Sequence, residues 1–330
     1  MTREPIDYGQ FEAGRDCNYW TLDRTLQRVA ARTYPADEFE WAEPVLEDFG
    51  EVVGHTVADN ADRIDRHEPE LHTYDKHGDV VNEVEYHPKQ AENERIAYEE
   101  FGLSHDAFHA PPGREEPVGL THTLMMQSLL SFADPGFVCP VSMTTGAAIV
   151  LDEFDDGSLA EQFRALTSRD VDEHIEGAMF LTEKQGGSDV GANETIAEAA
   201  DDTALEGDPE GVYHLTGEKW FCSNIDAEGA LALARRPGAP EGTAGLSLFL
   251  VSRTRSDGEV NDATFRRLKD KLGTLSVPTG EIEFHGAEAH LVGEPENGFR
   301  QMTEMLNFER LSNATAAVGI MGRALLESKV

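Results

Sequence analysis

The chain has 330 residues, of which 63 are Asp or Glu and 27 are Lys or Arg, so its formal net charge is −36 at pH 7. Hydrophobic residues make up 39% and occur in clear apolar runs, which excludes an unfolded acidic chain and is enough for two or three domains. Such a surface repels nucleic-acid phosphates and anionic membranes, and it predicts a salt-adapted protein because high salt screens self-repulsion.

The sequence also argues against export and membrane insertion. No stretch approaches the ~18 apolar residues of a transmembrane helix, and the polar, acidic N-terminus lacks the apolar core of a secretory signal. Cys17, Cys139 and Cys222 lie far apart, form no Cys-x-x-Cys pair and are odd in number. Free thiols in a cytoplasmic protein are the simplest interpretation.

The first half of the chain is predicted to be mainly helical. Apolar positions follow helical spacing across residues 37–65, and residues 88–101 and 118–133 have helical patterns as well. A further helix is predicted to start at residues 146–153. Residues 74–79 contain a glycine that can take positive φ, and they predict a turn between two extended pieces.

From about residue 175 the pattern changes to short β-rich pieces between Gly and Asp turns. After Gly298 a helical pattern returns at residues 299–308 and continues at 311–328. Seven β-rich pieces in about 110 residues predict a barrel or a sandwich, at residues 178–182, 195–199, 212–222, 230–234, 246–252, 263–268 and 281–284.

This order predicts an α+β protein in three parts. They are an N-terminal helical domain at residues 1–175, a middle β domain at 176–296, and the first helix of a C-terminal bundle at 297–330. That last helix carries an apolar stripe, which needs partner helices. Too little sequence follows to supply them, so we expect the bundle to be incomplete. The stripe consists of Leu311, Ala314, Val318, Met321 and Leu325.

Metal and nucleotide motifs are weak in this sequence. His105 and His109 have the i, i+4 spacing of a zinc helix, but Asp106 replaces the usual Glu and two prolines follow, so we assign no metal site. Neither Gly-x-Gly-x-x-Gly after a strand nor a P-loop motif is present. A Rossmann or P-loop nucleotide site is therefore not supported.

Two other segments are candidates for a cofactor site. In residues 181–190, Gly186 and Gly187 let successive N–H groups point at an anion such as a pyrophosphate, and Ser188 adds a hydroxyl donor. An ordinary Gly-Gly turn is the alternative. In residues 217–224, an aromatic residue beside a small hydroxyl suits a flat heterocycle, although an aromatic-rich core strand has the same pattern.

Taken together, these segments resemble the acyl-CoA dehydrogenase family. The strings Thr-Glu-Lys-Gln-Gly-Gly-Ser-Asp-Val at 182–190 and Gly-Glu-Lys-Trp-Phe-Cys-Ser-Asn at 217–224 carry the resemblance. The first string is most similar to the AidB-type branch, as are residues 74–88, 139–144 and 267–273. The resemblance extends from about residue 68 to the last residue.

The resemblance implies an FAD-dependent enzyme with a helical domain, a β domain and a C-terminal four-helix bundle. It implies that Thr182 bonds the edge of the flavin ring and that Ser188 bonds the pyrophosphate. Phe221 stands where many relatives carry Trp, and it keeps the aromatic face while losing the indole donor. The cofactor-binding residues implied in this way are Met179, Phe180, Leu181, Thr182, Gly187, Ser188, Phe221, Cys222 and Ser223.

The implied reaction is α,β-dehydrogenation of an acyl-CoA thioester, in which a carboxylate removes the α-proton while hydride passes from the β-carbon to the flavin. Most of the family has this carboxylate in the C-terminal bundle, but isovaleryl-type and long-chain-type enzymes have it just before a helical arginine. Glu309 and Arg310 match the second placement, with Arg310 orienting the carboxylate or the CoA. A solvated helix residue is the alternative for Glu309.

The resemblance also implies partners. Electron-transfer flavoprotein is the expected electron acceptor, and the family forms tetramers, although an incomplete bundle would lack the usual oligomer contacts. The AidB-type branch contacts DNA through a basic C-terminal region, and the charge of −36 argues against such binding here. Two alternatives stay open, a non-catalytic flavin-binding protein of stress response and an inactive truncated fragment.

Overall fold

The computed structural model describes residues 16–200 and 211–329. The polar stretch at residues 1–15 lies outside the described residues. The first part of the described chain consists of helices and one hairpin. Its helices are α1 (Tyr19–Leu22), α2 (Arg24–Thr33), α3 (Ala36–Val52), α4 (Ala58–Ile64), α5 (Lys89–Glu94), α6 (Gly119–Leu130), α7 (Val138–Phe154) and α8 (Ala160–Leu166).

The helices predicted before residue 133 are confirmed, and two of them include a π-helical turn. The 37–65 pattern forms α3 and α4, joined by the π-helical turn Val53–Val57. The 88–101 pattern forms α5 and the π-helical turn Arg95–Glu100. The apolar faces of α1, α2, α3 and α6 meet in one core, which is why each of these helices is amphipathic or buried.

Helix α7 starts earlier than the sequence pattern indicates. A start at residues 146–153 was predicted, but the helix begins at Val138 and the prediction is wrong by eight residues. Pro140 lies in its first turn, where a missing N–H breaks no intrahelical hydrogen bond. The helix is buried along most of its length and contacts the last helix of the chain and the sheet.

A hairpin links the helical part to the sheet. Its strands are β1 (Glu70–Tyr74) and β2 (Val80–Glu85), and the predicted turn between them is confirmed, with Gly78 at φ +92°. In β2, Asn82 donates through Nδ2 to the main-chain oxygen of Ala263 and accepts from the amide of Phe265. These two bonds anchor the hairpin to the strand Ala263–Leu268 of the sheet, which contains both partners.

Seven further strands form one sheet among the described residues, and the pairing closes it into a barrel. The spatial order is β3-β6-β4-β5-β9-β7, and β7 pairs again with β6, while β8 pairs with β9. A barrel, not a sandwich, is therefore the observed architecture. The strands are β3 (Gly177–Phe180), β4 (Ile196–Ala199), β5 (Val212–Ser223), β6 (Gly229–Arg235), β7 (Leu246–Val251), β8 (Ala263–Leu268) and β9 (Thr279–Val292).

Strand β9 is longer than predicted. The sequence pattern ended at Phe284, before the turn-like pair His285-Gly286, but the strand continues to Val292. Gly286 has φ +95° and has no partner residue on β5 in the strand register. Leu215 pairs with Ala287, and Thr216 pairs with His285. Gly286 is thus a β-bulge, in which a glycine takes the positive φ that other residues avoid.

The last helix, α9 (Gly298–Lys329), is one continuous element that packs on α6, α7 and β7. Its first half buries the large side chains of Met302, Met305 and Phe308. Its second half buries small ones, and a Cβ atom at Gly319 would lie 1.9 Å from Oγ of Ser131, so the helix comes very close to the end of α6. None of the helices within 16–200 or 211–329 combines the length and apolarity that crossing a membrane requires.

Candidate active site

Strand β3 leads into the first candidate segment and lies against α7. The amide of Gly177 donates to Oγ1 of Thr144 at 2.9 Å, and a Cβ atom at Gly177 would collide with the α7 main chain. Only glycine lets strand and helix approach so closely. The Phe180 side chain enters the barrel core, whereas Met179 and Leu181 pack half-buried in the apolar cluster shared with α7.

The chain then leaves the sheet as the loop 181–190. Gly186 has φ +133°, and a Cβ atom at Gly187 would lie 2.8 Å from Oγ1 of Thr182, so two glycines shape this loop. Ser188 is exposed at its outer end. Within the described part of the chain, the hydroxyl groups of Thr182 and Ser188 have no hydrogen-bond partner, so both can bond a ligand.

A buried ion pair, which sequence reasoning missed, joins this loop to β5. Nζ of Lys219 lies 2.8 Å from Oε1 of Glu183. Oε1 also accepts from the amide and the hydroxyl of Thr195, and Oε2 accepts from the amide of Glu194. Burial acts to raise the pKa of Glu183, but Lys219 and these bonds outweigh it and lower that pKa. The amide of Trp220 donates to the main-chain oxygen of Thr182 at 2.9 Å, which aligns the two segments.

The end of β5 presents one aromatic ring to solvent. Phe221 is 55% exposed, and the half-buried Ser223 has its Oγ 3.1 Å from Oγ1 of Thr279. Between them, the Cys222 side chain is fully buried in the barrel core, and burial raises the pKa of its thiol. Cys222 and the similarly buried Phe180 can therefore meet a cofactor only through their main chains.

A lysine lies over the aromatic residues at this end of β5. Nζ of Lys269 is 4.2 Å from the centroid of the Trp220 ring and 4.6 Å from that of Phe221. The same ammonium group bonds Oε1 of Glu281 at 2.9 Å. Because the face of an aromatic ring attracts cations, Lys269 helps to fix both rings.

The candidate base, Glu309, is part-buried on α9 and faces α7. Oγ of Ser142 donates to its Oε1 at 2.9 Å. Burial raises the pKa of Glu309 to about 7, although the Ser142 bond acts in the opposite direction. The carboxyl group is therefore not a solvated surface group, and its protonation changes near neutral pH.

Arg310 makes neither a hydrogen bond nor an ion pair with the Glu309 carboxylate within the described residues. Its side chain is exposed, and its Nη1 bonds Oδ1 of Asn307 at 3.3 Å. Successive helix residues point about 100° apart, so Arg310 follows Glu309 in sequence but faces a different side. Ser142 on α7 makes the contact with the carboxylate, and an electrostatic role of Arg310 in orienting the carboxylate or the CoA stays a prediction.

Electrostatic interactions and hydrogen bonds together link Glu309 with the end of β5. Burial, and after it the nearby Glu309 carboxylate, raise the pKa of the Cys139 thiol to about 12, while the Lys271 ammonium lowers it. Nζ of Lys271 is 3.2 Å from Oγ1 of Thr279, the hydroxyl that contacts Ser223. The candidate base on α9 and the last residues of β5 are thus linked indirectly, through the Cys139 thiol on α7 and the Lys271 ammonium group.

The histidine pair of the sequence motif lies elsewhere, and one ring nitrogen of each histidine is engaged in a hydrogen bond. The rings of His105 and His109 are 4.8 Å apart, with His105 bonded to Asp106 and His109 bonded to Thr167. Asp106 also forms a bidentate pair with Arg169. Among the residues that the structure describes, no cluster of His, Cys, Asp or Glu has the arrangement of a metal site.

Comparison with known proteins places this architecture among the acyl-CoA dehydrogenases. Residues 9–173 match the family described as adaptive response protein AidB N-terminal domain, and residues 178–287 match the acyl-CoA dehydrogenase middle domain. The chain therefore belongs to the acyl-CoA dehydrogenase family, in the branch with an AidB-type N-terminal domain. Members of this family are FAD-dependent flavoproteins.

Individual relatives agree with this assignment. Acyl-CoA dehydrogenase family member 11 of Caenorhabditis elegans is 34% identical over 316 residues, which are 92% of this chain and 48% of the relative. The putative acyl-CoA dehydrogenase AidB of Escherichia coli K12 is 31% identical over 303 residues, 86% of this chain and 51% of the relative. The chain spans about half the length of these curated relatives.

A solved structure matches the fold over nearly the whole chain. Caenorhabditis elegans ACDH-11 in complex with C11-CoA superimposes with a TM-score of 0.85 at 30% identity, covering 99% of this chain and 55% of that one. The order of helical part, β domain and following helix expected from the sequence is thereby confirmed.

Proposed function

We propose that this chain carries the flavin-binding and proton-abstracting parts of an acyl-CoA dehydrogenase, which oxidises the α,β bond of an acyl-CoA thioester. The observation that carries the proposal is the state of Glu309. Its carboxyl group is mostly buried, burial raises its pKa to about 7, and it is linked to the end of β5 through Cys139, Lys271 and Thr279. A general base works best when its pKa lies near the working pH.

The residues present fit FAD. Thr182 and Ser188 offer hydroxyl groups without partners among the described residues, on a loop whose glycines leave its backbone open. The exposed ring of Phe221 offers an apolar face to a flat heterocycle, and Ser223 offers a hydroxyl beside it. We therefore keep the nine residues named from the sequence as the proposed cofactor site, with Phe180 and Cys222 acting through their main chains.

The chemical roles follow from these positions. Bound FAD supplies the hydride acceptor. Glu309 takes the α-proton on its carboxylate, and the apolar packing around α7 and α9 limits access of water to that group. When an acyl thioester fills the remaining space, further loss of water raises the pKa of Glu309 and makes its carboxylate a stronger base.

Substrate and partner are inferred at the level of chemical class. The match to a structure solved with C11-CoA supports an acyl-CoA substrate, and the family relationship supports electron-transfer flavoprotein as the acceptor of the electrons. We also propose that the chain divides into three parts after residues 175 and 296, and that the protein is cytoplasmic. We further propose that it is adapted to high salt, which the net charge of −36 supports.

Glu309→Gln tests the proposed function. The purified protein in high salt should first show the absorbance spectrum of bound flavin, which should bleach when acyl-CoA thioesters are added. The amide keeps the shape of the side chain and loses its basicity, so the rate of flavin reduction should fall by about 10²–10⁴-fold while the bound flavin is retained.

Glu304→Gln is the matched control, because Glu304 lies on the same helix and its side chain makes no hydrogen bond within the described residues. It should leave the rate unchanged. Bound flavin that no acyl-CoA bleaches would favour a non-catalytic flavoprotein. Flavin reduction at the parental rate in Glu309→Gln would exclude Glu309 as the base.

A further inference from the structure

Helix α7 has a gap in its side-chain surface next to the Glu309 carboxylate. Cys139, Ser142 and Gly146 lie on one face of the helix, at spacings of three and four residues. A Cβ atom at Gly146 would lie 3.6 Å from Oε1 of Glu309 and 2.8 Å from Cγ of Met305. The absence of a side chain at Gly146 therefore leaves the space into which α9 places both residues.

Within this face, Ser142 is the residue that touches the carboxylate. Its side chain is almost completely buried, and its hydroxyl donates to Oε1 of Glu309 across 167 residues of sequence. Oε2 of Glu309 accepts no hydrogen bond from any described residue. Oε1 is therefore held by the Ser142 hydroxyl, whereas Oε2 has no hydrogen-bond partner among the described residues.

We propose that Ser142 is a positioning residue, whose hydroxyl fixes Oε1 of Glu309 so that Oε2 is presented to the substrate proton. The proposal rests on the proposed role of Glu309 as base. A serine on a buried helix has few rotamers to choose from, so a single hydrogen bond can hold the longer, more flexible glutamate in one orientation.

Among the polar groups around Glu309, the hydrogen bond from Ser142 has the main influence on the pKa of the carboxyl group. The titratable group of α7 that faces Glu309 is the Cys139 thiol. This thiol stays neutral because burial and, to a smaller extent, the charge of Glu309 raise its pKa to about 12. Lys271, on the loop before β9, directs its Nζ to the main-chain oxygens of Thr274 and Val277. On α9 itself, Arg310 is exposed.

The hydrogen bond from Ser142 also shifts the pKa of Glu309 in a definite direction. A hydroxyl that donates to a carboxylate stabilises the charged form, so it lowers the pKa that burial raises. Without Ser142, Glu309 would hold its proton to higher pH. Fewer molecules would then carry the free base at neutral pH, and the open oxygen would lose its fixed direction.

The test is a titration of Glu309 that needs no turnover. Infrared difference spectra of the chain without substrate, recorded against pH, give the carboxyl C=O band, and the band lost in Glu309→Gln identifies Glu309. Ser142→Ala should preserve α7, because alanine is a strong helix former. It should move the midpoint of the Glu309 titration upward by about 1 pH unit. Ser142→Thr keeps a hydroxyl and should restore the parental midpoint.

Ser312→Ala is the control for a lost buried serine, because Ser312 on α9 bonds Gln127 and not Glu309. It should leave the Glu309 midpoint in place. In flavin-reduction assays, the pH profile of Ser142→Ala should shift upward by the same amount, and its plateau rate at high pH should stay below the parental plateau because Oε1 is no longer held.

The two ideas fail in different ways. If Ser142→Ala leaves the infrared midpoint unchanged, or shifts it no more than Ser312→Ala does, the positioning role is wrong even if Glu309→Gln is inactive. If Glu309→Gln reduces flavin at the parental rate, the proposed role of Glu309 is wrong, and the positioning role fails with it.

Discussion

Lys219 places an ammonium group where water cannot reach it, and this single residue holds both candidate cofactor segments together. It bonds Oε1 of Glu183 at 2.8 Å and the main-chain oxygen of Leu233 at 2.7 Å. Removing one member of a buried ion pair typically costs about 3–5 kcal/mol, because the other charge stays buried and unpaired. We expect Lys219→Met to lower the free energy of unfolding by that amount in denaturant titrations.

A surface ion pair provides the control for this prediction. Arg66 bonds Asp62 at 2.7 Å, and both side chains are mostly exposed, so Arg66→Met should change the free energy of unfolding by less than about 1 kcal/mol. Replacing Glu183 with Leu as well as Lys219 with Met should recover part of the loss, since no unpaired charge then remains. Equal effects of Lys219→Met and Arg66→Met would contradict a structural role for the buried pair.

The residues of the site differ in how far the sequence could predict them. Thr182, Ser188 and Phe221 stand in recognisable strings, so their side chains could be named in advance. The partners of Glu183 and Glu309 could not be, because they lie 36 and 167 residues away along the chain. A string of residue types gives no information about which distant helix or strand will face it.

Helix α9 carries the clearest prediction for a whole element. Its apolar stripe repeats at spacings of three and four residues, the pattern of a helix that packs lengthwise on another helix. The stripe is solvent-exposed, with Leu311, Val318, Met321 and Leu325 each between 49% and 61% exposed. We expect protein of this sequence to associate in high salt, with a mass above that of the monomer by light scattering.

Substitutions on α9 test whether this stripe causes the association. Val318→Lys together with Met321→Lys should reduce the measured mass to that of the monomer, because burying two ammonium groups is costly. Asn313→Lys adds a charge at an exposed position outside the stripe and should leave association unchanged. A parent protein that is monomeric and monodisperse would count against the prediction.

Elements were predicted well where the chemistry is local and less well where it depends on neighbours. All seven barrel strands and the long final helix follow from periodicity, but β9 passes through Gly286 and α7 includes Pro140. Glycine and proline usually end an element. Here the bulge opposite β5 and the first turn of α7 accommodate them, and neither the pairing partner nor the helix start can be read from local sequence.

At the scale of the whole molecule, Glu176 joins the helical part to the barrel. Oε1 accepts from the hydroxyl of Tyr98, and Oε2 accepts from Nδ2 of Asn224. Burial, and next the neighbouring Glu94 carboxylate, raise the pKa of Glu176 from 4.5 to about 8. Between these pH values the unfolded chain releases a proton that the folded chain keeps, so stability falls as pH rises, by at most about 1.4 kcal/mol per pH unit.

Glu176→Gln should remove this pH dependence. The amide can still accept from Asn224 and donate to the Tyr98 hydroxyl, and it has no proton to lose. Urea midpoints of the variant and the parent should coincide near pH 4.5 and separate towards pH 8, with the variant more stable. Glu173→Gln, at an exposed position on the preceding loop, should follow the parent. Parallel curves for Glu176→Gln and the parent would show that Glu176 is ionised in the folded protein.

The net charge of −36 acts on the molecule as a whole and leads to a prediction about salt. Folding brings the carboxylates closer together, so their repulsion destabilises the compact state unless ions screen it. The screening length falls from about 10 Å at 0.1 M to about 3 Å at 1 M salt. The melting temperature should therefore rise steeply with KCl up to about 1 M and then level off. Sucrose, which is uncharged, should produce no such saturating rise. A melting temperature that is flat in KCl, or that climbs linearly as it does in sucrose, would show that charge repulsion does not limit the stability of this fold.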